Sequence, residues 1–189
     1  MKETMIYQIK VTLQHIRPPI WRRILVAGET TLANLHHILQ TVMGWEDSHL
    51  HQFTIREEYY SALSEYLSDN GDVYDAADFT LAQVVSGEKD KFIYEYDFGD
   101  GWRHTILIEK IISSEPKKSY PLCIKGKRAC PPEDIGGAWG YEQFTEAMID
   151  PNNSRHDELK DWHGGEFDPK LFDLEAINSK LNAHPHRPQ

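Results

Sequence analysis

The chain has 189 residues, 40% of them hydrophobic and 11% aromatic, which is too apolar for a disordered polymer and fits a globular protein. Thirty acidic residues against twenty basic ones give a net charge of −10, which argues against broad, sequence-independent binding to nucleic acid, because such binding rests on neutralising phosphates. No apolar stretch approaches the roughly 20 residues needed to cross a bilayer, and the amino-terminal MKETMIYQIKVTL alternates where a signal peptide would be continuously apolar, so a cytoplasmic protein without a membrane partner is expected.

In chain order, the first element is a strand. In MIYQIKVTL, Tyr7, Ile9, Val11 and Leu13 alternate with Gln8, Lys10 and Thr12, the period expected when one face is buried. Pro18 and Pro19 force an extended turn, and IWRRILV reads as the antiparallel partner. From Thr31 the period changes. Leu32, Leu35, Ile38, Leu39 and Val42 form one helical stripe, with Thr31 as N-cap and Gly44 as the stop.

HLHQFTIRE returns to alternation, so His49, His51, Phe53 and Ile55 are expected on one face of a strand. Residues 57–78 are acidic and less regular, with a turn at SDNGD, and TLAQVV makes a short helix capped by Thr80. KFIYEYDF and WRHTILIEKII are two further strands. The stretch 113–138, rich in proline and glycine, reads as an irregular surface loop, and loops of that length are often functional.

The remainder reads as helical: WGYEQFTEAMI, a segment near SRHDELKDW, and DPKLFDLEAINSKLN with Asp168 as N-cap and Pro169 in the first turn. The expected fold is α+β, an antiparallel or mixed sheet of hairpin-connected strands packed against helices, with a helical carboxy-terminal third. One domain is expected over residues 1–183, followed by a disordered tail at 184–189.

Charge is unevenly distributed along the chain. Residues 65–100 hold ten acids and two lysines, net −8, whereas residues 103–128 hold seven basic residues and two glutamates, net +5.

The nonapeptide YDFGDGWRH, residues 96–104, concentrates polar chemistry. Asp100-Gly101 is a strong signal for a two-residue type I′ turn. That register sets Asp97 opposite His104, where the carboxylate can orient the imidazole as a general base or the pair can ligate a metal; as a structural alternative it staples the hairpin. His49 and His51, two apart on a strand, can share a metal or simply pack. In PPEDIGGAWGY, Glu133 and Asp134 either complement the amino terminus of the following helix or join Asp97 and His104 in an oxygen-rich site for a divalent metal. Cys123 and Cys130, seven apart, match none of the usual zinc pairs and are expected to be reduced. A phosphate-binding loop ending in Lys-Ser or Lys-Thr, a dinucleotide fingerprint, a nucleophile elbow, an H-E-x-x-H helix and the protein-kinase signature set are all lacking.

Taken together, LHHILQTVMGWEDSHLHQF, YEYDFGDGWRHTILIE and CIKGKRACPPEDIGGAWGY resemble the plasmid pRiA ORF-three-like family, first noted on a root-inducing plasmid and also met as passenger proteins of insertion elements. The resemblance spans roughly residues 5–181 and implies a shared fold, with no established reaction; the mobile-element association implies a role near DNA transactions.

Two function classes follow. The first is a non-enzymatic binding module for a protein or nucleic-acid partner, its surface drawn from Trp45, His49, His51, Asp100, Trp102, Arg103, Lys125, Arg128, Trp139 and Tyr141. The second is a metal-dependent hydrolase, for example of phosphodiesters, using Asp97, His104, Glu133 and Asp134 with His49 or His51. A divalent metal belongs to the second reading and is not required by the first.

Overall fold

The computed structural model describes residues 4–62 and 73–183. The SDNGD turn and the 184–189 tail lie outside these residues. Among the described residues, eight strands form one mixed sheet: β1 (Met5–Leu13), β2 (Trp21–Ala27), β3 (His51–Ile55), β4 (Glu58–Ser61), β5 (Val73–Asp75), β6 (Lys91–Tyr96), β7 (Trp102–Ser113) and β8 (Leu122–Lys127). Their spatial order is β5-β4-β3-β6-β7-β1-β2-β8. All pairs are antiparallel except β4–β5. With the helices α1 (Leu32–Met43), α2 (Leu81–Val84), α3 (Gly137–Ile149), α4 (His156–His163) and α5 (Leu174–Ala183) around this sheet, the fold is α+β.

The alternation in the first strand does what it predicts: Ile9, Val11 and Leu13 are buried while Lys10 and Thr12 face outward. Helix α1 lays Leu32, Leu35, Ile38, Leu39 and Val42 into the core. Thr31 caps it by accepting a hydrogen bond from the Asn34 amide, and Gly44 ends it in the left-handed conformation, which a residue with a side chain adopts only at a cost. His36 sits on the same stripe and is therefore inside.

Three expectations are corrected. The 113–138 segment is not wholly irregular, because its Leu122–Lys127 part pairs with β2 as an edge strand. That edge is closed by Asn178 of α5, whose side chain accepts from the Cys123 amide and donates to the Cys123 carbonyl, both at 2.9 Å. The last helix starts later than Asp168: Asp173 caps it through the Ala176 amide, and Asp168 instead closes a local turn onto the Lys170 amide. In the hairpin, Tyr96 pairs with Trp102 and Tyr94 with His104, so the connection is a five-residue loop rather than Asp100-Gly101 alone. The register is displaced by an odd number of residues from the two-residue turn, which sends Asp97 and His104 to different faces.

Arg22 is buried without a carboxylate partner among the described residues. It donates to the carbonyls of Val42, Trp21 and Lys127 and to the Cys130 sulfur at 3.0 Å, tying the end of α1 to β8 and the following loop. Burial raises both thiols, Cys123 to about 11, which fits packing residues.

Candidate metal centre

The loop after α1, the hairpin loop and the PPED segment meet at one end of the sheet. Asp97 enters the hairpin loop with φ of +56° and turns its carboxylate back on the chain, where Oδ1 accepts from the Gly99 amide at 2.9 Å and the Asp100 amide at 3.3 Å. Aspartate tolerates this conformation because its short side chain satisfies the turn's own amides. Its other oxygen, Oδ2, lies 3.7 Å from His49 Nε2.

Asp100 then reaches across to accept from the Gly136 amide at 3.2 Å, at the start of α3. The contact is close enough that a β-carbon on Gly137 would lie 2.5 Å from the Asp100 carbonyl oxygen, and Gly137 has φ of +68°. Glycine is required here on both counts. Thus the two motifs DFGDG and PPEDIGG dock on each other, and docking brings Asp134 to 3.1 Å from His49 Nε2.

Glu133 plays a different part. Its Oε1 accepts from the Tyr96 hydroxyl at 2.6 Å and from the Glu46 amide at 3.1 Å, while the Tyr96 oxygen accepts from the Ser48 amide at 2.9 Å. Trp45 Nε1 donates to the Pro131 carbonyl at 2.9 Å. These bonds staple the PPED segment to the loop carrying His49. Burial and the Glu133 contact push the Tyr96 phenol up, so it stays protonated as donor.

His49, Asp97 and Asp134 therefore converge, with one donor atom from each within 4.8 Å of the others. His49 Nε2 is shielded from solvent and has no hydrogen-bond partner among the described residues. Asp134 is 71% exposed and opens the group to solvent.

The remaining predicted residues divide plainly. His104 is fully buried, its Nδ1 3.3 Å from the Tyr94 carbonyl and its ring edge-on to Trp45; desolvation lowers its pKa to about 4, so it is a neutral core residue, not a base facing Asp97. His49 lies in the loop before β3, and its Nε2 faces Asp97 and Asp134, a group that His51 does not join. Strand β3 begins only at His51, and the His51 ring stacks on His36 at 3.5 Å between centroids. Trp45, Trp102 and Tyr141 are core side chains, so they leave the predicted binding surface, whereas Trp139 is 70% exposed. Arg103 pairs with Glu95 at 3.3 Å, Lys125 points outward from β8, and Arg128 is half-buried.

Sequence reasoning passed over His36, His37 and Asp47. Gln40 Nε2 donates to the Tyr94 hydroxyl at 2.9 Å, which leaves the Tyr94 proton for His36 Nδ1 at 2.8 Å; the network thus assigns the His36 proton to Nε2, donated to Asp47 Oδ1 at 2.6 Å. His37 Nδ1 lies 3.2 Å from the other Asp47 oxygen. Desolvation lowers both His36 and His51 to about 3. The available signal was His36 itself, a titratable residue one turn from Leu32 on an otherwise apolar stripe.

Comparison with known proteins follows this geometry. The family model described as plasmid pRiA4b ORF-3-like protein matches residues 5–176. The uncharacterized protein y4hQ of Sinorhizobium fredii (strain NBRC 101917 / NGR234) is 37% identical over 179 residues, covering 94% of this chain and 91% of the relative. The crystal structure of a protein of unknown function, MM3350 from Methanosarcina mazei Go1, superposes with a TM-score of 0.83 at 34% identity, over 92% of this chain and 98% of that one. The chain belongs to the plasmid pRiA4b ORF-3-like family.

Proposed function

We propose that the protein acts through a divalent cation held by His49, Asp97 and Asp134, and that this centre hydrolyses a phosphodiester or a similar ester. The observation that carries the reading is the convergence of one imidazole and two carboxylates from three separate segments, which are tied together by the Glu46–Glu133 and Gly136–Asp100 hydrogen bonds. One nitrogen and two oxygens suit magnesium or manganese more than a thiolate-loving ion. These three residues would hold the ion with fewer protein ligands than such ions take, and Asp134 is exposed to solvent.

Charge supports the same assignment. Two carboxylates in a chain of net −10 repel an anionic ester, and a divalent cation neutralises them. A cation held by His49, Asp97 and Asp134 would supply Lewis-acid chemistry, neutralising anionic charge and lowering the pKa of water. His104 and Glu133 drop out of this mechanism, one as core and the other as the partner of Tyr96.

A non-enzymatic binding module for a protein or nucleic-acid partner is the second reading, favoured by one observation. Leu50 and Phe98, neighbours in sequence of His49 and Asp97, and Trp139 in the first turn of α3 are large apolar side chains left exposed.

The test is hydrolysis of bis(p-nitrophenyl) phosphate with added manganese. Turnover that disappears with chelator and in Asp134→Asn supports the hydrolase. Manganese binding without turnover moves the assignment to the binding module, and failure to bind manganese sinks the cation reading itself.

A further inference from the structure

Beside the surface triad lies a separate cavity of about 270 Å³, bounded by the first turns of α1, the loop 47–50 and the ends of β3 and β4. Four histidines and an aspartate line it: His36, His37, His49, His51 and Asp47. Both oxygens of Asp47 face imidazoles, Oδ1 toward His36 Nε2 at 2.6 Å and Oδ2 toward His37 Nδ1 at 3.2 Å, and donor atoms of these three residues lie within 4.8 Å of one another.

A second, independent observation points to a ligand. His51 is only 9% exposed, lines the cavity, and its Nε2 has no hydrogen-bond partner among the described residues. An orphaned buried nitrogen is costly, and β3 pairing together with stacking on His36 holds it in place. An ion in the cavity, or a water on that ion, gives this nitrogen its missing partner.

We infer that the cavity is a second metal site, in which His36, His37 and Asp47 hold a transition-metal ion that prefers imidazole nitrogen, of the zinc, cobalt or nickel kind, with His51 Nε2 facing the ion or its water. Two imidazoles and one carboxylate are the donor set such ions take. Support behind the ligands is also present. Tyr94 fixes the His36 ring through Nδ1 and has lone pairs to accept from that nitrogen when Nε2 is metal-bound, while Gln40 holds both Tyr94 and the Asp47 amide. Access runs past His37 and Asp47, which are 51% and 39% exposed.

This site borders the His49–Asp97–Asp134 centre through His49 but shares none of its proposed ligands, and it differs from that centre in preferring nitrogen-seeking ions. The probe is cobalt(II), titrated into the whole chain and read by its visible d–d absorption. Wild type and Asp134→Asn should both develop one equivalent of imidazole-ligated cobalt. His37→Ala, an exposed position, and Asp47→Asn, which keeps the backbone contact with Gln40 and tolerates the left-handed conformation, should bind at least tenfold more weakly, since even outer-shell changes cost ~10–100-fold. A titration unchanged by His37→Ala and Asp47→Asn would overturn the inference. So would a cobalt signal abolished by Asp134→Asn alone, which would place the ion at the surface centre and leave the proposed function standing.

Discussion

Lowering the pH should unfold this protein through its core histidines, and His104 isolates the effect. The residue is fully buried beside Trp45 and Tyr94, and desolvation lowers its folded pKa to about 4. In the unfolded chain the same imidazole titrates near about 6.5, so between these values the unfolded state binds the extra proton and stability must fall as pH falls. The stability associated with neutral His104 is complete above about pH 6.5 and is lost progressively toward about pH 4. At about pH 5 the linkage amounts to about 2 kcal/mol, approaching about 3 kcal/mol at the lower end. His36 and His51 are depressed to about 3 and act in the same direction. His104→Leu removes one titrating group without changing volume greatly. Urea unfolding of both proteins at about pH 7.5 and about pH 5 should show the wild type losing about 2 kcal/mol more than the variant. An equal loss in the two proteins, or an NMR titration of His104 in the native state near its ordinary value, would refute the reasoning.

Other outcomes follow from the docking of the two loops and from charge. Asp100→Ala removes the acceptor for the Gly136 amide and should cost about 1–2 kcal/mol in denaturant unfolding, with weaker manganese binding because Asp134 is no longer held beside His49. Gly137→Ala should be worse, since the added carbon meets the Asp100 carbonyl and the backbone has positive φ; a melting temperature equal to wild type would contradict the close contact. Binding to random duplex DNA at about 0.15 M salt should be weak in a filter or anisotropy assay, and tight binding would show that the basic 103–128 segment outweighs the net charge. Thiol titration of protein purified without reductant should find both Cys123 and Cys130, and a loss of two thiols would indicate a bridge.

What the sequence revealed and what it hid have physical causes. Strand β1 and helix α1 were legible because a single face of each is buried, so the period of Ile9, Val11 and Leu13, or of Leu35, Ile38 and Leu39, is written directly in the residues. Strand β8 was hidden by Gly126 and the surrounding prolines, and it exists because β2 offers an open edge and Asn178 closes the other side. The hairpin was foreseeable, its register was not. Asp100-Gly101 alone favours a two-residue turn, but Asp97 satisfies the loop's amides and Asp100 is recruited by Gly136, a contact distant in sequence. The same long-range docking brings Asp134 to His49, which no local spacing encodes. His36 and His51 meet as stacked rings only because α1 and β3 pack together, so their cavity lies beyond any motif.

Anomalous diffraction from crystals of the protein soaked in manganese would locate a cation held by His49, Asp97 and Asp134. An anomalous peak is expected within bonding distance of His49 Nε2 and one oxygen each of Asp97 and Asp134, and it should be lost in Asp134→Asn crystals. Crystals that show these three side chains in place with no manganese between them would contradict it.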